Sequence, residues 1–441
     1  MGAWAAESLR TAMVSSLPMA SGPPCQVFGI NILVKLLVEA PPGVRIYCPK
    51  GSPIKYGVVV GRGDGFDEGA NEEAVARVVA DWLRAEGLGV AVDPVVPGRP
   101  NVVGWLDGDG EGPTLCFEGH TDVVTEGDPG AWRHGPWSGV IEEGRLYGRG
   151  AADMKGGLAA AMVAVAALRR SGVRFRGRVL LAALVDEEGG MLGARQFVRT
   201  ELGRAITAAI ICEPEQNELC LEQKGVLWAR VVVHGRMAHG AMPYAGLNPI
   251  PAAGAVLTGV PALEREVRRG VPRSRLLGLP YVTPTIVRAP VKGTPQNNVI
   301  PGSAEIRLDV RLTPGLEPAR ALAAIEALAR QTETRWPGTR IEVEPVEPPR
   351  PATRTDRGEV VVRALAWATR AVCGRPARFG GVPGSTDGTI LHTEARIPIV
   401  TCGPGTRQIP HQVDEHVEVA ALGEAARLYA AAAVRYLDAQ A

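Results

Sequence analysis

The chain has 441 residues, 46% hydrophobic and 22% charged, the balance of a soluble globular enzyme with room for two or three domains. Lys plus Arg number 48 against 47 for Asp plus Glu, a net charge of +1, which leaves no charge excess to hold nucleic acid or an anionic membrane. The seven cysteines are an odd count without a C-x-x-C spacing. Cys116, Cys212 and Cys402 lie in or beside apolar runs, where a thiol behaves as a small hydrophobe, so a reducing compartment is expected rather than a disulfide framework. No uninterrupted apolar run reaches the length of a bilayer span. The N-terminus has neither a basic n-region nor a clean cleavage site, so a cytoplasmic location is expected.

The first 70 residues carry few signals. Residues 30–39, "INILVKLLVE", have helical spacing ended by Pro41-Pro42, and the RGD at 62–64 reads as part of a Gly-rich loop. From Asn71 the text becomes regular. An amphipathic helix is predicted over 71–86, with Asn71 as N-cap and Gly87 as the stop. Strands are predicted over 101–106, 114–118, 178–185 and 208–212, alternating with helices over 156–170 and 192–200. Such alternation predicts a mostly parallel sheet with helices on both faces.

Near Lys224 the character changes. "VLWARVVVHG" alternates as a strand with one exposed face, 249–269 is helical, and "AEIRLDVRL" (304–312) alternates again. A helix over 318–332 and the strand "RIEVEPV" complete a self-contained α+β unit. After Pro351 come a helix over 358–372, a Gly-rich loop, a strand over 397–402 and a final helix from 417. The fold class expected is α/β: one domain, residues 1–223 and 342–441, interrupted by an inserted α+β domain, residues 224–341.

The ionisable residues then fall in a pattern. "LLAALVDEEGG" (180–190) runs from a buried strand into three acids, and a buried carboxylate costs several kcal/mol unless something pairs with it. "TLCFEGHTDVV" delivers His120 and Asp122, the acid run Glu187 and Glu188, "AAIICEPE" Glu213, and "IPIVTCGPG" a loop that carries His411. Asp153, in "GRGAADMKGG", precedes a helix. Open parallel sheets bind ligands outside the carboxyl ends of their strands, and four strands deliver candidates to that edge.

Each residue alone has an ordinary explanation: a satisfied polar histidine, an aspartate capping a helix, a solvated acidic loop. Those explanations do not place the acids together at the same ends of apolar strands. A metal centre does. Histidine and carboxylates without thiolate suit zinc, cobalt or manganese. Two histidines and three carboxylates exceed one catalytic metal with an open position, but suit two divalent ions sharing a carboxylate. In the H-x-D spacing, Asp122 is expected to accept the free ring N–H of His120. Consecutive residues point different ways, so one of Glu187 and Glu188 can ligate while the other stays free as the general base. On this reading a pair of dications is the positive charge that the acid run requires.

At these residues, and in "GRMAHGAMPYAGLNPI", "NNVIPGSAEIRLDVR" and "GPG…PHQVDEHV", the sequence resembles the M20 metallopeptidase and amidohydrolase family from about Asn71 to the C-terminus. The resemblance implies that His120, Asp153 and Glu213 hold one metal and that Asp153, Glu188 and His411 hold the other; from the donors, zinc is the first expectation for both, with cobalt or manganese as alternatives. It makes Glu187 the base and Asp122 the partner behind His120. The inserted domain then resembles the family's lid, which also forms the homodimer. His239 matches the lid histidine that reaches the partner's site to stabilise an oxyanion. Asn297 and Arg311 match positions that bind a substrate carboxylate, and Gly384 and Ser385 lie in a loop similar to a substrate-binding loop. Two departures stand out. Residues 44–64 have no counterpart, and Lys224 in "EQKG" stands where desuccinylases tend to carry an Arg pair. Glu213 is the choice typical of deacylases, whereas many true peptidases of the family use Asp.

The activity expected is removal of an acetyl- or succinyl-class group from an N-acyl amino acid by a water that two metals activate. A dipeptidase or carboxypeptidase of the same family is the alternative. A non-catalytic binding protein on this scaffold should lack ligands, and none is missing.

Overall fold

The computed structural model describes residues 71–438; the helix expected over 30–39, the RGD and the segment 44–64 lie outside them. The described chain forms two compact units, one of residues 71–221, 355–380 and 386–438, the other of 222–354 with 381–385.

The first unit opens with α1 (Glu73–Ala85). Asn71 Oδ1 accepts the Glu73 N–H at 2.8 Å, and Gly87 leaves the helix at φ 71°, a left-handed conformation that costs glycine nothing. The buried stripe Ala76, Val79, Ala80 and Leu83 follows the helical period. A hairpin follows, β1 (Gly89–Val96) and β2 (Arg99–Asp107). β1 was not expected because "GVAVDPVV" contains a proline, which reads against a strand; as the edge strand of its sheet it tolerates one.

Next come β3 (Thr114–His120), the short pair β4 (Ile141–Glu142) and β5 (Arg145–Tyr147), and α2 (Gly156–Ser171). β6 (Arg178–Leu184), α3 (Leu192–Phe197), α4 (Glu201–Arg204), β7 (Ala208–Ile211) and β8 (Leu219–Gln223) follow. The helix expected over 192–200 ends at Phe197, and a separate short helix follows at Glu201–Arg204. The main sheet runs β1-β2-β6-β3-β7 and continues into residues 399–401 and then β8. β6, β3, β7 and the 399–401 strand are mutually parallel, and antiparallel neighbours flank them on each side. The α/β expectation of a mostly parallel sheet holds.

The stretch Ala151–Ser171 is long and apolar enough by composition to cross a membrane, and 83% of its apolar window is buried inside the protein. It qualifies because α2 is apolar nearly all round, as a helix enclosed by its own fold must be.

The second unit holds β9 (Gly225–His234), β10 (Ala238–His239), α5 (Ile250–Arg268), β11 (Tyr281–Arg288) and β12 (Val299–Ile300). It continues with β13 (Ser303–Leu312), α6 (Pro318–Arg335), β14 (Arg340–Pro345) and β15 (Thr353–Arg354). β11, β13, β9 and β14 form an antiparallel sheet in that order. Its buried face, Leu227, Val231, Ile306, Leu308 and Val310, packs with Val256, Leu263 and Ile325 of the two helices. β11 carries no strand signal in the sequence because "YVTPTIVR" contains Pro284 and buries little but Val282.

The chain then forms α7 (Val360–Cys373), β16 (Phe379–Val382), α8 (Gly388–Glu394), β17 (Ile399–Thr401), β18 (His416–Glu418) and α9 (Val419–Asp438). The final helix begins at Val419 rather than 417, because 416–418 pair with β5. α2, α7 and α9 pack together, with Tyr429 of α9 against Phe117 of β3 at 5.2 Å between rings. Ile390 and Leu391 of α8 join Ala194 and Phe197 of α3 over Cys116 and Leu180.

Two helical glycines differ in a way that stability can read. A Cβ on Gly157 would lie 1.8 Å from the Cys212 carbonyl oxygen, whereas Gly254 has nothing within 4 Å. Gly254→Ala should therefore raise the unfolding free energy by up to about 1 kcal/mol. Gly157→Ala should lower it by about 1–3 kcal/mol through overpacking. Denaturant titration of both variants checks the opposite signs.

Candidate metal centre

Because β3, β6, β7 and β17 are parallel, their carboxyl ends lie along one edge. His120 is the last residue of β3 and is fully buried. Its Nε2 lies 3.1 Å from Asp153 Oδ1 and 3.6 Å from Glu213 Oε1, beyond β7. The other Asp153 oxygen, Oδ2, lies 3.2 Å from His411 Nε2, and that nitrogen is 3.1 Å from Glu188 Oε1, beyond β6. One carboxylate thus presents its two oxygens to two histidines. Ligand atoms of His120, Asp153 and Glu188 lie within 4.8 Å of one another, as do those of His120, Glu187 and Glu213.

Local conformation sets these directions. Asp153 sits in a tight turn over 151–155 with φ −115° and ψ 94°, so it does not cap α2. The residue before that helix is Lys155, and no side chain caps it. The carboxylate that a cap would have occupied is turned to the histidines instead. Asp186 and His411 both adopt positive φ, 70° and 66°, a sparsely populated region for residues other than glycine.

Asp122 works differently from expectation. His120 Nδ1 lies 3.0 Å from the Asp122 main-chain carbonyl, which accepts the ring N–H, while the carboxylate is 3.5 Å away. The Asp122 carboxylate is engaged by backbone: Oδ1 accepts the N–H of Glu187 at 3.2 Å and Oδ2 that of Glu188 at 3.1 Å. It ties the end of β3 to the acidic turn after β6.

The first acid of that turn needs no metal. Asp186 Oδ1 accepts from Arg99 Nη1 at 2.9 Å, and Oδ2 accepts the N–H of Gly190 at 2.9 Å and of Leu192 at 3.3 Å. Arg99 also donates to Glu72 from Nε and Nη2. All three side chains are at most 3% exposed. The positive charge awaiting Asp186 is Arg99, while Glu187 and Glu188 turn to the centre.

Electrostatics show what the remaining acids lack. Burial, with neighbouring carboxylates, raises the pKa of Glu187 and Glu213 well above the ordinary glutamate value and that of Glu188 above it. Burial opposes a charge on His120, but the nearby carboxylates of Asp122 and Asp153 outweigh it and raise its pKa well above the usual imidazole value. Contacts with Asp153 and Glu188 push His411 up to about 10. The cluster thus takes up protons wherever no other cation is supplied. Two imidazoles and several carboxylates with no thiolate are a donor set that fits divalent cations.

Further residues of this edge carried no signal on their own. Lys155 is buried among Asp122, Glu415, Glu72 and Asp153, and burial lowers its pKa to about 8. Glu118, two residues before His120 on the same face of β3, is buried beside Asp387, and burial and that neighbour raise its pKa well above the ordinary value. Glu415 and Arg149 form a buried ion pair at 2.5 Å. Lys155, Arg149 and Glu415 do stand inside the quoted motifs, Lys155 and Arg149 flanked by apolar or small residues and Glu415 by Asp414 and His416.

His239, Asn297, Arg311, Gly384 and Ser385 belong to the second compact unit. His239 and Asn297 are exposed, and His239 Nδ1 accepts the Ala241 N–H at 3.0 Å. Arg311 donates Nε and Nη2 to the two oxygens of Asp309 at 2.8 and 2.9 Å, which fixes its guanidinium plane. A Cβ on Gly384 would meet open space.

Comparison with known proteins identifies the family. The model of peptidase family M20/M25/M40 matches residues 116–435. The succinyl-diaminopimelate desuccinylase of Methylobacterium radiotolerans is 31% identical over 376 residues, 82% of this chain and 90% of that one. An M20 family metallo-carboxypeptidase from Sulfolobus solfataricus superposes with a TM-score of 0.72 at 16% identity, over 94% of this chain and 99% of the other. A Bacillus subtilis protein described as a dinuclear metal binding peptidase of the M20 family does so with a TM-score of 0.68 at 17% identity, over 94% and 99%; at such identities the likeness is one of fold. With a family match over most of its length and a relative above 30% identity, the chain belongs to peptidase family M20/M25/M40, the metal-dependent hydrolases of amide bonds.

Proposed function

We propose that the protein removes an acyl group, of the acetyl or succinyl class, from an N-acyl amino acid, using two divalent ions that share Asp153. The observation that carries this reading is the placement of the two Asp153 oxygens, one beside His120 and one beside His411. His120 and Glu213 complete one set of ligands, Glu188 and His411 the other. Zinc is the first choice, and cobalt or manganese suits the same donors. The similarity to desuccinylases supports the acyl class of substrate.

Bound there, two divalent ions supply polarisation of the amide carbonyl and a lowered pKa for the attacking water. Glu187 is the base: its carboxylate takes the water's proton and passes it to the nitrogen of the leaving amine. Asp122 holds Glu187 in place through its backbone N–H and aims His120.

In the inserted domain, Arg311 and Asn297 hold the substrate carboxylate, with the Arg311 plane pre-set by Asp309; Gly384 and Ser385 are further substrate-binding residues. His239 donates to the oxyanion across a homodimer. The edge strand β11, with Ile286 and Val287 42% and 57% exposed, is the kind of surface that a second copy covers. The buried unpaired thiols favour the cytoplasm.

The substrate reading is tested with acetyl-, succinyl- and formyl-amino acids against dipeptides, each with zinc, cobalt and manganese supplied. Acyl-amino acids should be hydrolysed with the higher kcat/KM; a preference for dipeptides would replace the deacylase reading with the peptidase one. Glu187→Gln should bind metal as the wild type does and lose roughly 10²–10⁴-fold in turnover. Near-wild-type turnover would remove Glu187 as the base.

A further inference from the structure

His411 is the proposed ligand with the least support of its own. Its side chain is 53% exposed, it lies in the loop between β17 and β18, and its backbone is left-handed. His120 and Glu213, by contrast, sit at or just past the ends of buried strands. Something must hold His411 at a fixed distance from Asp153, or the two could not share an ion.

The geometry points to Glu415 as the positioning residue that sets the gap between Asp153 and His411, and so the affinity of the ion they share. Glu415 is 0% exposed and four residues beyond His411. Its Oε1 accepts two backbone N–H groups, those of Ala152 and of Asp153 itself, each at 3.0 Å. Its Oε2 accepts from Arg149 Nη1 at 2.5 Å. Its main-chain carbonyl accepts the Gly148 N–H at 2.9 Å. Immediately after it, β18 pairs with β5, His416 opposite Tyr147. Segments 145–153 and 415–418 are thereby stitched together, and Glu415 is the tie nearest to His411 along the chain.

Arg149 is itself held. It is 2% exposed, and its guanidinium carbon lies 5.1 Å from the centre of the Trp132 ring, a stacked arrangement that restricts the plane of the fork. A buried Arg–Glu pair by itself is weak grounds for any role. What distinguishes this one is that the carboxylate grips the peptide N–H of a proposed ligand. Charge-assisted bonds of this kind are short and directional, and groups that orient ligands typically govern metal affinity 10–100-fold.

A glutamine at 415 keeps the shape but not the function. Its amide offers one acceptor oxygen, so it cannot serve both the two N–H groups and Arg149, and its NH₂ would face either a donor guanidinium or the donor peptides. The ion held by Asp153, Glu188 and His411 should suffer most. The ion held by His120, Asp153 and Glu213 retains two ligands fixed by β3 and β7.

This inference rests on the two-metal reading above, and one titration separates their failures. Zinc is titrated calorimetrically into the metal-free full chain of the wild type, of Glu415→Gln and of Glu418→Gln, whose side chain pairs with Arg145 on the surface. The wild type and Glu418→Gln should each bind two ions. Glu415→Gln should bind the first within about threefold of wild type and the second roughly 10–100-fold more weakly, with kcat recovering at excess zinc while KM changes little. Two ions bound by Glu415→Gln at wild-type affinity would overturn the positioning role and leave the two-metal reading intact; a wild type that binds fewer than two would overturn that reading first. If Glu415→Gln does not fold, Arg149→Lys carries the test. It keeps the cation but loses the fork, and should weaken the second ion severalfold; unchanged affinity there would count equally against the role.

Discussion

Acidic groups gathered in a buried place repel one another and lose hydration at the same time, and every other feature of this protein's first unit follows from how that conflict is met. Where a fixed cation can reach, the protein supplies one: Arg99 between Glu72 and Asp186, Arg149 against Glu415, Lys155 buried near Asp122 and Glu415. Where it cannot, the acids Asp153, Glu188 and Glu213 face two imidazoles across 3.1–3.6 Å. That division has a use. Charges neutralised by arginine are locked, whereas those left for divalent ions keep open positions at which chemistry can occur.

The parallel sheet is what brings the acids together, and hydrogen bonds to backbone are what aim them. Parallel strands end at one edge, so residues nearly 300 positions apart in the chain arrive side by side. A strand end alone leaves the following turn free to swing. Asp122 removes that freedom from the Glu187–Glu188 turn, Asp186 does so for the residues that follow it, and Glu415 does so for Asp153. Each of these carboxylates accepts N–H groups of the loop that carries a site residue. The centre is therefore built in two layers of acids, an inner one facing outward to the cluster and an outer one holding the backbone that presents it.

Much of this was legible in the chain before any coordinates, and the limits are physical. The apolar runs of β3, β6 and β7 are buried on both faces, so they read as continuous, and the acids that end them are conspicuous for that reason. β1 and β11 are edge strands that carry Pro94 and Pro284 and bury little, so neither run nor alternation marks them. Asp153 sits before a helix and its type suits a cap, and only the turn geometry shows that its side chain points elsewhere. Glu415 is the extreme case. Its role depends on partners more than 260 residues away, and no local pattern encodes such a contact. The acid run as a whole reads as needing a pair of dications, and Asp186 departs from that reading because its cation, Arg99, lies 87 residues back in the chain.

The claim on which the functional account stands is that divalent ions occupy both sides of one carboxylate. A crystal structure with anomalous data collected on either side of the zinc absorption edge tests it most directly. The account predicts two peaks per chain flanking Asp153, one bounded by His120 and Glu213, the other by Glu188 and His411, with Glu187 bound to neither. A single peak, or none, in protein that still hydrolyses its substrate would contradict it.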